Sequence, residues 1–413
     1  MTVDQKQLTY SPVMIFCASR CTFETSLEQV FTHRQVHIMT VVEIPWVIDE
    51  HTRIKHALLT KYIDPWMAIF FTVQSKLGKE QKVVYFDGFC GPGTYYTDES
   101  KTDECCGSPL LVAEVANKYL DENPKRSVIM HCVDRNAQCT EMLKKKIDKL
   151  NRHNQDWQVH NAEFDDKVNE VLDKFDQTNL RYQPLFFFID PHGYSGYPMK
   201  SLGRLLTYPR AELFVNFMVY DIVRFWEQER FEEDMIALFG TDDFKKVSEC
   251  TTPGQKYAFF VNLYSSCLLE AGAKYVMPFK VNTRSQGTRP RYYLIHASKD
   301  IRALKIMKNN MAKVSDAPYR FEAIGLVTGQ MSLFENPDKV ALRDRIEELC
   351  RNAKGWVDYD EIEDWAYANT TGVAKTIKEA LVGLEDDGKV SIKRQPGQRK
   401  NTVVSGARIR ANK

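Results

Sequence analysis

Short apolar runs alternate with amphipathic stretches through the middle of the chain. An apolar run of four to eight residues is typical of a buried strand, and apolar residues three or four positions apart are typical of a helix. These patterns predict strands at 82–87, 128–133, 157–161, 185–189 and 213–218, and helices at 109–121, 136–151, 165–175 and 198–206. The alternation of the two predicts a parallel sheet with crossover helices.

A further pair of strands is predicted to complete this sheet. Helical patterns at 221–239 and 255–271 are followed by strand-like runs at 275–282 and 291–297. The short link between these two runs predicts an antiparallel pair. Five alternating strands followed by a hairpin is the outline of a class I methyltransferase sheet. We therefore predict an α/β fold with a Rossmann-like sheet of this class and helices on both of its faces.

The segments that precede the first strand differ in regularity. Residues 1–38 show no clear period, and we interpret them as a weakly ordered N-terminal arm. Apolar residues recur at helical spacing from His51 to Leu77, which predicts a helical lead-in within residues 39–81. The α/β domain is then assigned to residues 82–336.

The last part of the chain, residues 337–413, has a different order of elements. It begins after the turn signal Asn336-Pro337 and continues with a predicted helix, a short strand and two more helices, at 339–352, Trp356, 358–368 and 370–386. Two predicted strands, 389–394 and 402–408, flank the turn residues 396–401. This order predicts a winged-helix domain.

The composition is that of an ordinary globular protein, with 43% hydrophobic and 27% charged residues in 413. No apolar stretch approaches the roughly 20 residues of a membrane span. The run from Val13 to Ala18 is too short for a secretory signal. The ten cysteines are scattered and lack zinc spacing, which favours reduced thiols and no metal site. We expect a cytoplasmic protein.

Positive charge is concentrated at the C-terminus although the net charge is only +1. From Lys389 to the end there are eight cations and no acid. Lys375 and Lys378 on the predicted recognition helix, with Arg399 and Lys400 at the wing tip, are candidates for nucleic-acid contact. The same helix carries Glu379, Glu385, Asp386 and Asp387. Contact with a protein through this domain therefore remains an open alternative.

Three glycines and an acid follow the first predicted strand, in the run from Asp87 to Gly93. Gly88, Gly91 and Gly93 permit tight turning and a close approach of the backbone to a ligand, and Asp87 can accept hydrogen bonds from an amine-bearing group. The spacing matches the acid-x-x-x-Gly-x-Gly pattern of S-adenosylmethionine binders. A purely structural turn between strand and helix is the alternative.

Asp134 ends the second predicted strand and is a candidate for binding the two ribose hydroxyls of the cofactor. Its separation from Asp87 exceeds the usual roughly 20 residues. The loop 94–108, which we interpret as a lid or substrate loop, explains the excess. A helix cap is the alternative role for Asp134.

The adenine of the cofactor is expected near residues 160–165, after the third strand. Glu163 or Asn161 would bond its exocyclic amine, and Phe164 would stack on it. After the fourth strand, Asp190, Pro191, His192 and Gly193, with Tyr194 behind them, occupy the position where amino-methylating enzymes carry Asp/Asn-Pro-Pro-aromatic.

In those enzymes the acid or amide binds the target amine, and the aromatic ring stacks on the base. His192 replaces the second proline here, and Gly193 takes the aromatic position, so Tyr194 would stack only if the loop bends differently. His192 has a pKa suited to a general base. A structural His-Gly turn is the alternative.

The chain resembles the three-Cys-motif partner family (TcmP), bacterial proteins named after an associated radical-S-adenosylmethionine-like protein. The resemblance extends from about His51 to Phe334. It is carried by His51-Thr-x-x-Lys55 with Tyr62 and Trp66, by residues 85–95, 107–110, 188–194, 215–218 and 292–295, and by residues 330–334. It implies a methyltransferase-like fold and a radical-SAM-like partner protein, but no established reaction.

The sequence thus predicts an S-adenosylmethionine-binding protein that methylates an amine of nucleic acid or of a modified base. A non-catalytic partner or regulatory protein that keeps the fold and binds nucleic acid or protein through its winged helix is the alternative. A metal-dependent hydrolase or nuclease lacks a ligand cluster in this sequence.

Overall fold

The computed structural model describes residues 44–150, 154–282, 291–314, 320–323 and 342–412. The predicted arm, residues 1–38, lies outside the described residues. The helices of the larger part are α1 (Glu50–Lys76), α2 (Ser108–Glu122), α3 (Ala137–Leu150), α4 (Phe164–Asp176), α5 (Met199–Leu206), α6 (Val219–Phe225), α7 (Glu232–Phe239), α8 (Pro253–Glu270) and α9 (Ile301–Val314). None of the helices in these ranges is long and apolar enough to cross a bilayer.

Ten strands belong to this part of the chain. They are β1 (Gln81–Asp87), β2 (Thr94–Tyr96), β3 (Glu104–Cys106), β4 (Arg126–Asp134), β5 (Gln155–Asn161), β6 (Leu185–Ile189), β7 (Ala211–Phe217), β8 (Tyr275–Asn282), β9 (Tyr293–Ser298) and β10 (Arg320–Ala323). All but β2 and β3 form a single sheet, in the order β10-β8-β9-β7-β6-β1-β4-β5.

The sheet is parallel from β5 to β7 and antiparallel beyond that strand. β1 pairs in parallel with β4 and β6, and the same direction continues to β5 and β7. β9 is antiparallel to both β7 and β8, and β10 is antiparallel to β8. Apart from β10, this is a seven-stranded mixed sheet of methyltransferase type, in which β9 is the antiparallel strand.

The central strands are apolar on both faces because helices cover both sides of the sheet. Every residue of β6 is buried, as is every residue of β7. One core cluster joins the sheet to α4, α5, α7 and α8, and a second joins the opposite face to α1, α2 and α9. The predicted arrangement of helices on both faces is therefore confirmed.

The predicted helical region 221–239 is divided by a break in the structure. α6 ends at Phe225, a 3₁₀ turn covers Glu229–Phe231, and α7 follows. The rings of Phe225 and Phe231 both pack on Tyr194, with centroids 6.1 and 5.9 Å from it. Residues six apart lie on different faces of a continuous helix, so a break is needed to bring both rings to one partner.

The C-terminal part consists of helices and a small antiparallel sheet. Its helices are α10 (Leu342–Asn352), α11 (Tyr359–Asn369) and α12 (Ala374–Asp386), and its strands β11 (Val357–Asp358), β12 (Val390–Lys393) and β13 (Arg408–Ala411) pair in the order β11-β13-β12. The order of elements agrees with the prediction. We call residues 342–412 the C-terminal module.

Two boundaries in the C-terminal module were predicted wrongly. The strand expected at 402–408 begins only at Arg408, since Ala407 donates its N–H to the carbonyl of Val404 and closes a turn. The helix expected from residue 370 begins at Ala374. There the hydroxyl of Thr370 accepts the N–H of Gly372 and holds the chain outside the helix.

Helix α9 joins the C-terminal module to the rest of the molecule. Lys308 is buried and donates from Nζ to the carbonyl oxygens of Tyr367 and Thr370, at 3.0 and 2.6 Å. Lys305, one turn earlier, pairs with Glu363 at 2.7 Å. These bonds fix α11 and the residue after it against α9.

Candidate functional site

A cavity of about 210 Å³ opens at the carboxyl ends of β1, β6 and β7. This is the edge of an open α/β sheet at which ligands bind. Its walls come from the segment before α1, the start of α1, the turn after β1, and the residues that follow β6 and precede β9. The side chains that line it include Trp46, Lys55, Phe89, Tyr95, Ser108, Asp190, His192, Asn216 and Tyr292.

Asp190 forms an ion pair with Lys55 at the base of this cavity. The ammonium nitrogen of Lys55 lies 2.7 Å from Oδ1 and 2.6 Å from Oδ2 of the carboxylate, and both side chains are at least 85% buried. The ring of Tyr292 lies on the same ammonium, with its centroid 5.9 Å away. Lys55 thus brings the start of α1 to the end of β6.

Asn216, from the end of β7, completes this polar group. Its Nδ2 donates to Oδ1 of Asp190 at 2.7 Å. A carboxylate only accepts, so this bond fixes which end of the amide is nitrogen. The other end, Oδ1 of Asn216, is buried and has no hydrogen-bond partner within the described part of the chain. An unpaired buried acceptor costs about 1–3 kcal/mol, so a ligand donor at this position would be stabilising.

Aromatic rings form the upper wall of the cavity. Trp46 lies edge-on to His192 with ring centroids 5.4 Å apart, and it also contacts Tyr95 at 6.3 Å. The backbone of Trp46 accepts the N–H of Tyr96 at 2.8 Å, and Ile48 donates to the carbonyl of Tyr96 at 2.8 Å. The segment before α1 is therefore part of the wall, which the sequence did not predict.

The predicted lid, residues 94–108, contains a small β-hairpin. β2 pairs with β3, so that Thr94 faces Cys106 and Tyr96 faces Glu104. Below this pair, Gly107 donates its N–H to the carbonyl of Gly93 at 2.7 Å. The hairpin is bound at both ends, to the glycine turn and to the segment before α1.

Asp87 is fully buried at the end of β1. Its carboxyl accepts hydrogen bonds from the Tyr85 hydroxyl at 2.9 Å, from the Phe89 N–H at 3.4 Å and from the Ser108 side chain. Burial outweighs these bonds and raises its pKa to about 7. Among the described residues no cation pairs with this carboxyl, and Asp87 does not line the cavity.

The glycines after Asp87 are required by close packing. Gly91 and Gly93 have φ of 58° and 79°, in the left-handed region. A Cβ on Gly93 would lie 2.6 Å from Leu143, and one on Gly88 would lie 2.7 Å from Phe164. These glycines are needed under both interpretations of the motif, as a structural turn or as a close approach of the backbone to a ligand.

Asp134 ends β4 beside this turn and is half-buried. Its Oδ2 accepts the N–H of Gly91 at 2.9 Å and its Oδ1 accepts the N–H of Asn136 at 2.8 Å. The cap of α3 comes from Asn136, whose Oδ1 accepts the N–H of Gln138 at 3.0 Å. The capping role considered for Asp134 is therefore taken by another residue, and Asp134 instead ties β4 to the glycine turn.

Seven predicted site residues do not line the cavity, namely Asp87, Gly88, Gly93, Asp134, Glu163, Phe164 and Tyr194. Phe164 is buried in the core, with its ring 5.6 Å from Phe89 and 6.0 Å from Phe86. Glu163 is exposed at the start of α4. Tyr194 is buried against α6 and the following turn, so the loop does not bend in the way that stacking on a bound base would need. Asp190, Pro191 and His192 do line it.

Four of the C-terminal cations contact a partner within the C-terminal module. Arg394 bonds both carboxylate oxygens of Glu385 at 2.7 and 2.5 Å, Lys389 pairs with Glu347 at 2.8 Å, and Arg408 pairs with Asp358 at 3.2 Å. The guanidinium of Arg410 lies on the Trp356 ring at 4.9 Å. Lys375, Arg399 and Lys400 are exposed, and Lys378 is half-buried.

The sequence pattern did not assign a role to Lys55, Asn216 or Tyr292. All three lie in segments that carried the family resemblance, and this was the available signal. Over the ranges that the structure describes, no group of three or more His, Cys, Asp and Glu side chains is placed to hold a metal ion.

No family model matches the sequence, and no curated protein matches it. The resemblance to three-Cys-motif partner proteins thus stays a prediction. Solved structures that align with the fold include a Legionella pneumophila protein of the DUF519 family, at 11% identity over 65% of this chain and 97% of that one, with a TM-score of 0.40.

Two further alignments are weaker. A precorrin-6y C5,15-methyltransferase from Geobacter metallireducens aligns at 14% identity over 55% of this chain and 86% of its own, with a TM-score of 0.24. A Listeria monocytogenes protein, described as a candidate class I S-adenosylmethionine-dependent methyltransferase, aligns at 15% identity over 63% of both chains, with a TM-score of 0.27. Alignments this distant assign no activity to the chain.

Proposed function

We propose that this protein binds S-adenosylmethionine and methylates an amine that enters the cavity beside Asp190. The observation that carries the proposal is the unpaired buried oxygen of Asn216 next to the Asp190 carboxylate. Two adjacent acceptors in a cavity wall select a ligand that presents N–H donors.

The cofactor would be held by the glycine turn and the two acids beside it. Asp87 would accept a hydrogen bond from an ammonium, since its carboxyl has no cation as a partner among the described residues. Asp134 would accept from hydroxyl groups, and Gly91 and Gly93 would let the backbone approach closely. When bound, S-adenosylmethionine supplies an electrophilic methyl group.

The residues of the chain would orient the acceptor amine. A carboxylate offers about four lone-pair positions, and Lys55 and Asn216 use three of those on Asp190. An amine could therefore bond both Asp190 and the free oxygen of Asn216. Trp46, Tyr95 and Tyr292 offer ring surface for a planar acceptor, which favours an amine of nucleic acid or of a modified base.

We further propose that the C-terminal module is a winged helix that contacts the macromolecule carrying this amine. The exposed cations Lys375, Arg399 and Lys400 are candidates for contact with phosphate, with the half-buried Lys378 on the same helix as Lys375. The radical-SAM-like partner that the family resemblance implies belongs to the same proposal.

A second candidate is a binding protein without catalysis. It is favoured by the ion pair between Lys55 and Asp190, since an ammonium of the chain itself already occupies the carboxylate that would receive the amine. Such a protein would keep the cofactor and nucleic-acid contacts and transfer no methyl group.

Calorimetry with S-adenosylmethionine tests the shared part of both candidates. We expect binding, and at least tenfold weaker binding by Asp134→Ala, whose carboxylate contacts the glycine turn. Glu163→Ala, an exposed residue at the start of α4, serves as the control. Unchanged affinity in Asp134→Ala would contradict the cofactor site.

Transfer of a labelled methyl group to adenine- and cytosine-containing single-stranded DNA and RNA then separates the two candidates. Transfer that is lost in Asn216→Leu while cofactor affinity is kept supports catalysis. Binding without transfer to any of these oligonucleotides supports the second candidate.

A further inference from the structure

A second cavity of about 210 Å³ lies at the amino end of β7. Asp190 lies at the other end of the sheet, where the parallel strands have their carboxyl ends. The second cavity is bounded by the middle of α1, by the residues that start β7, and by the turn between β9 and α9. Since β7 begins at Ala211 and its carboxyl end carries Asn216, the two cavities are separated by the length of this strand. None of the residues discussed for the first cavity lines the second.

Its walls are largely apolar. Trp66 and Phe70 lie edge-to-face with centroids 5.2 Å apart, and Ile69, Val73 and Ile306 are half-buried around them. A ligand that covers half-buried apolar side chains removes their surface from water, which favours binding. The walls therefore favour a ligand with a compact apolar body.

The polar side chains at the floor of the second cavity already have hydrogen-bond partners in the protein, so they do not require a charged ligand. Glu212 is buried there, and its carboxylate accepts hydrogen bonds from the Tyr62 hydroxyl and from Nε1 of Trp66, the latter at 3.2 Å. It also lies 3.3 Å from Nε2 of His296. Its oxygens are thus supplied with donors by the protein. The polar atoms of Tyr62 and Trp66 are used in the same bonds, so these residues add only ring surface to the cavity.

The mouth of the cavity carries an excess of positive charge. Arg210 donates to the carbonyl of Tyr182 and Lys299 to the carbonyl of Tyr208, each at 3.2 Å, and neither has a carboxylate partner within the described residues. Arg302 pairs with Asp300, the acid of the mouth. Arg210 and Lys299 therefore remain available to a ligand anion.

We propose that this second cavity binds a small amphipathic anion, such as an aryl or short alkyl carboxylate. Its apolar body lies against Trp66, Phe70 and Ile306, and its anionic group pairs with Lys299 and Arg210 at the mouth. The proposal does not depend on the function assigned to the first cavity.

Titration calorimetry of the full chain with 3-phenylpropionate tests this site, with 3-phenylpropanamide as the neutral probe of the same shape. We expect the carboxylate to bind at least about tenfold more tightly than the amide, because only the carboxylate pairs with the cations of the mouth. Higher salt should reduce this difference.

Three variants locate the binding. Ala303→Phe fills the cavity and should abolish binding, and Lys299→Gln should weaken the carboxylate about fivefold without changing the amide. Lys274→Gln, an exposed cation of the adjoining turn that does not line the cavity, is the control for Lys299. Asp190→Asn should leave binding unchanged.

Three results would overturn the proposal: no binding of the carboxylate, equal binding of the carboxylate and the amide, or equal effects of the two lysine substitutions. If Ala303→Phe lowers the melting temperature too far to be used, the comparison of Lys299→Gln with Lys274→Gln decides the question.

Discussion

The ammonium of Lys55 lies within 2.7 Å of both carboxylate oxygens of Asp190. Removal of one member of a buried pair leaves the other charge uncompensated, which typically costs about 3–5 kcal/mol. We expect Lys55→Met to lower the free energy of unfolding by about 3 kcal/mol, and the double variant with Asp190→Asn to recover most of this loss. Urea unfolding followed by circular dichroism measures both.

The matched control for this prediction is the exposed pair of Lys118 with Asp64, which are joined at 3.0 Å on the neighbouring helices. Lys118→Met should cost less than about 1 kcal/mol because the pair is solvated. Equal losses in the two lysine variants would show that the pair in the cavity is not buried in solution.

The buried carboxyl of Asp87 should make stability depend on pH. Its pKa of about 7 in the folded protein lies above the value of 3.8 expected in the unfolded chain. Below pH 4 both states are protonated. Between pH 4 and 7 the unfolded state releases the proton first, so stability falls as the pH rises, by up to about 4 kcal/mol in total.

Asp87→Asn has no proton to release, so its stability relative to the wild type should increase from pH 4 to pH 7 and stay constant above. Urea unfolding at four pH values measures this difference. Parallel curves for the two proteins would contradict the raised pKa.

Lys308 should give the opposite dependence at alkaline pH. Burial lowers its pKa to about 7, against 10.5 in the unfolded chain. Below pH 7 both states are charged and the cost of burial is present in full. Between pH 7 and 10 the folded state loses the proton first, so the stability of the wild type should rise relative to Lys308→Met, by up to about 4 kcal/mol.

Lys305 provides the control, because Glu363 and Asp364 raise its pKa despite partial burial. The difference between the wild type and Lys305→Met should stay constant from pH 7 to 10. A rise of the same size in both comparisons would mean that another group is responsible.

Alanine substitutions at Gly93 and Gly78 distinguish the cost of backbone strain from the cost of steric crowding. Both have positive φ, but a Cβ on Gly93 would meet Leu143 at 2.6 Å, whereas one on Gly78 would meet nothing within 4 Å. Gly78→Ala should cost about 1 kcal/mol from the backbone alone, and Gly93→Ala about 1–3 kcal/mol more. Thermal unfolding of the two variants measures the difference, and equal costs would contradict the packing of Leu143 on this turn.

The central sheet was readable from the sequence because its strands are continuous apolar runs. The bounds predicted for β6 agree with the structure, and those of β1, β4, β5 and β7 differ by at most two residues. A parallel sheet then places Asp87, Asp134 and Asp190 at one edge, since each stands at the end of its strand or directly after it.

The side-chain contacts of those three acids could not be predicted from the sequence in the same way. Lys55 precedes Asp190 by 135 residues in the sequence, and Asn216 follows it by 26 residues. These meetings depend on how α1 packs on the sheet and on where β7 ends, which no local pattern encodes. The burial of Tyr194 was not predictable for a similar reason, since its partners Phe225 and Phe231 lie on either side of a break that the apolar pattern does not mark.

The ion pairs of the C-terminal module change what the eight cations of residues 389–413 mean for handling the protein. Arg394, Lys389 and Arg408 are each neutralised by a nearby carboxylate. The surface therefore carries less positive charge in this region than a count of lysines and arginines gives. On a cation-exchange column at neutral pH, the protein should elute earlier than the eight cations of its last 25 residues would give if all were unpaired.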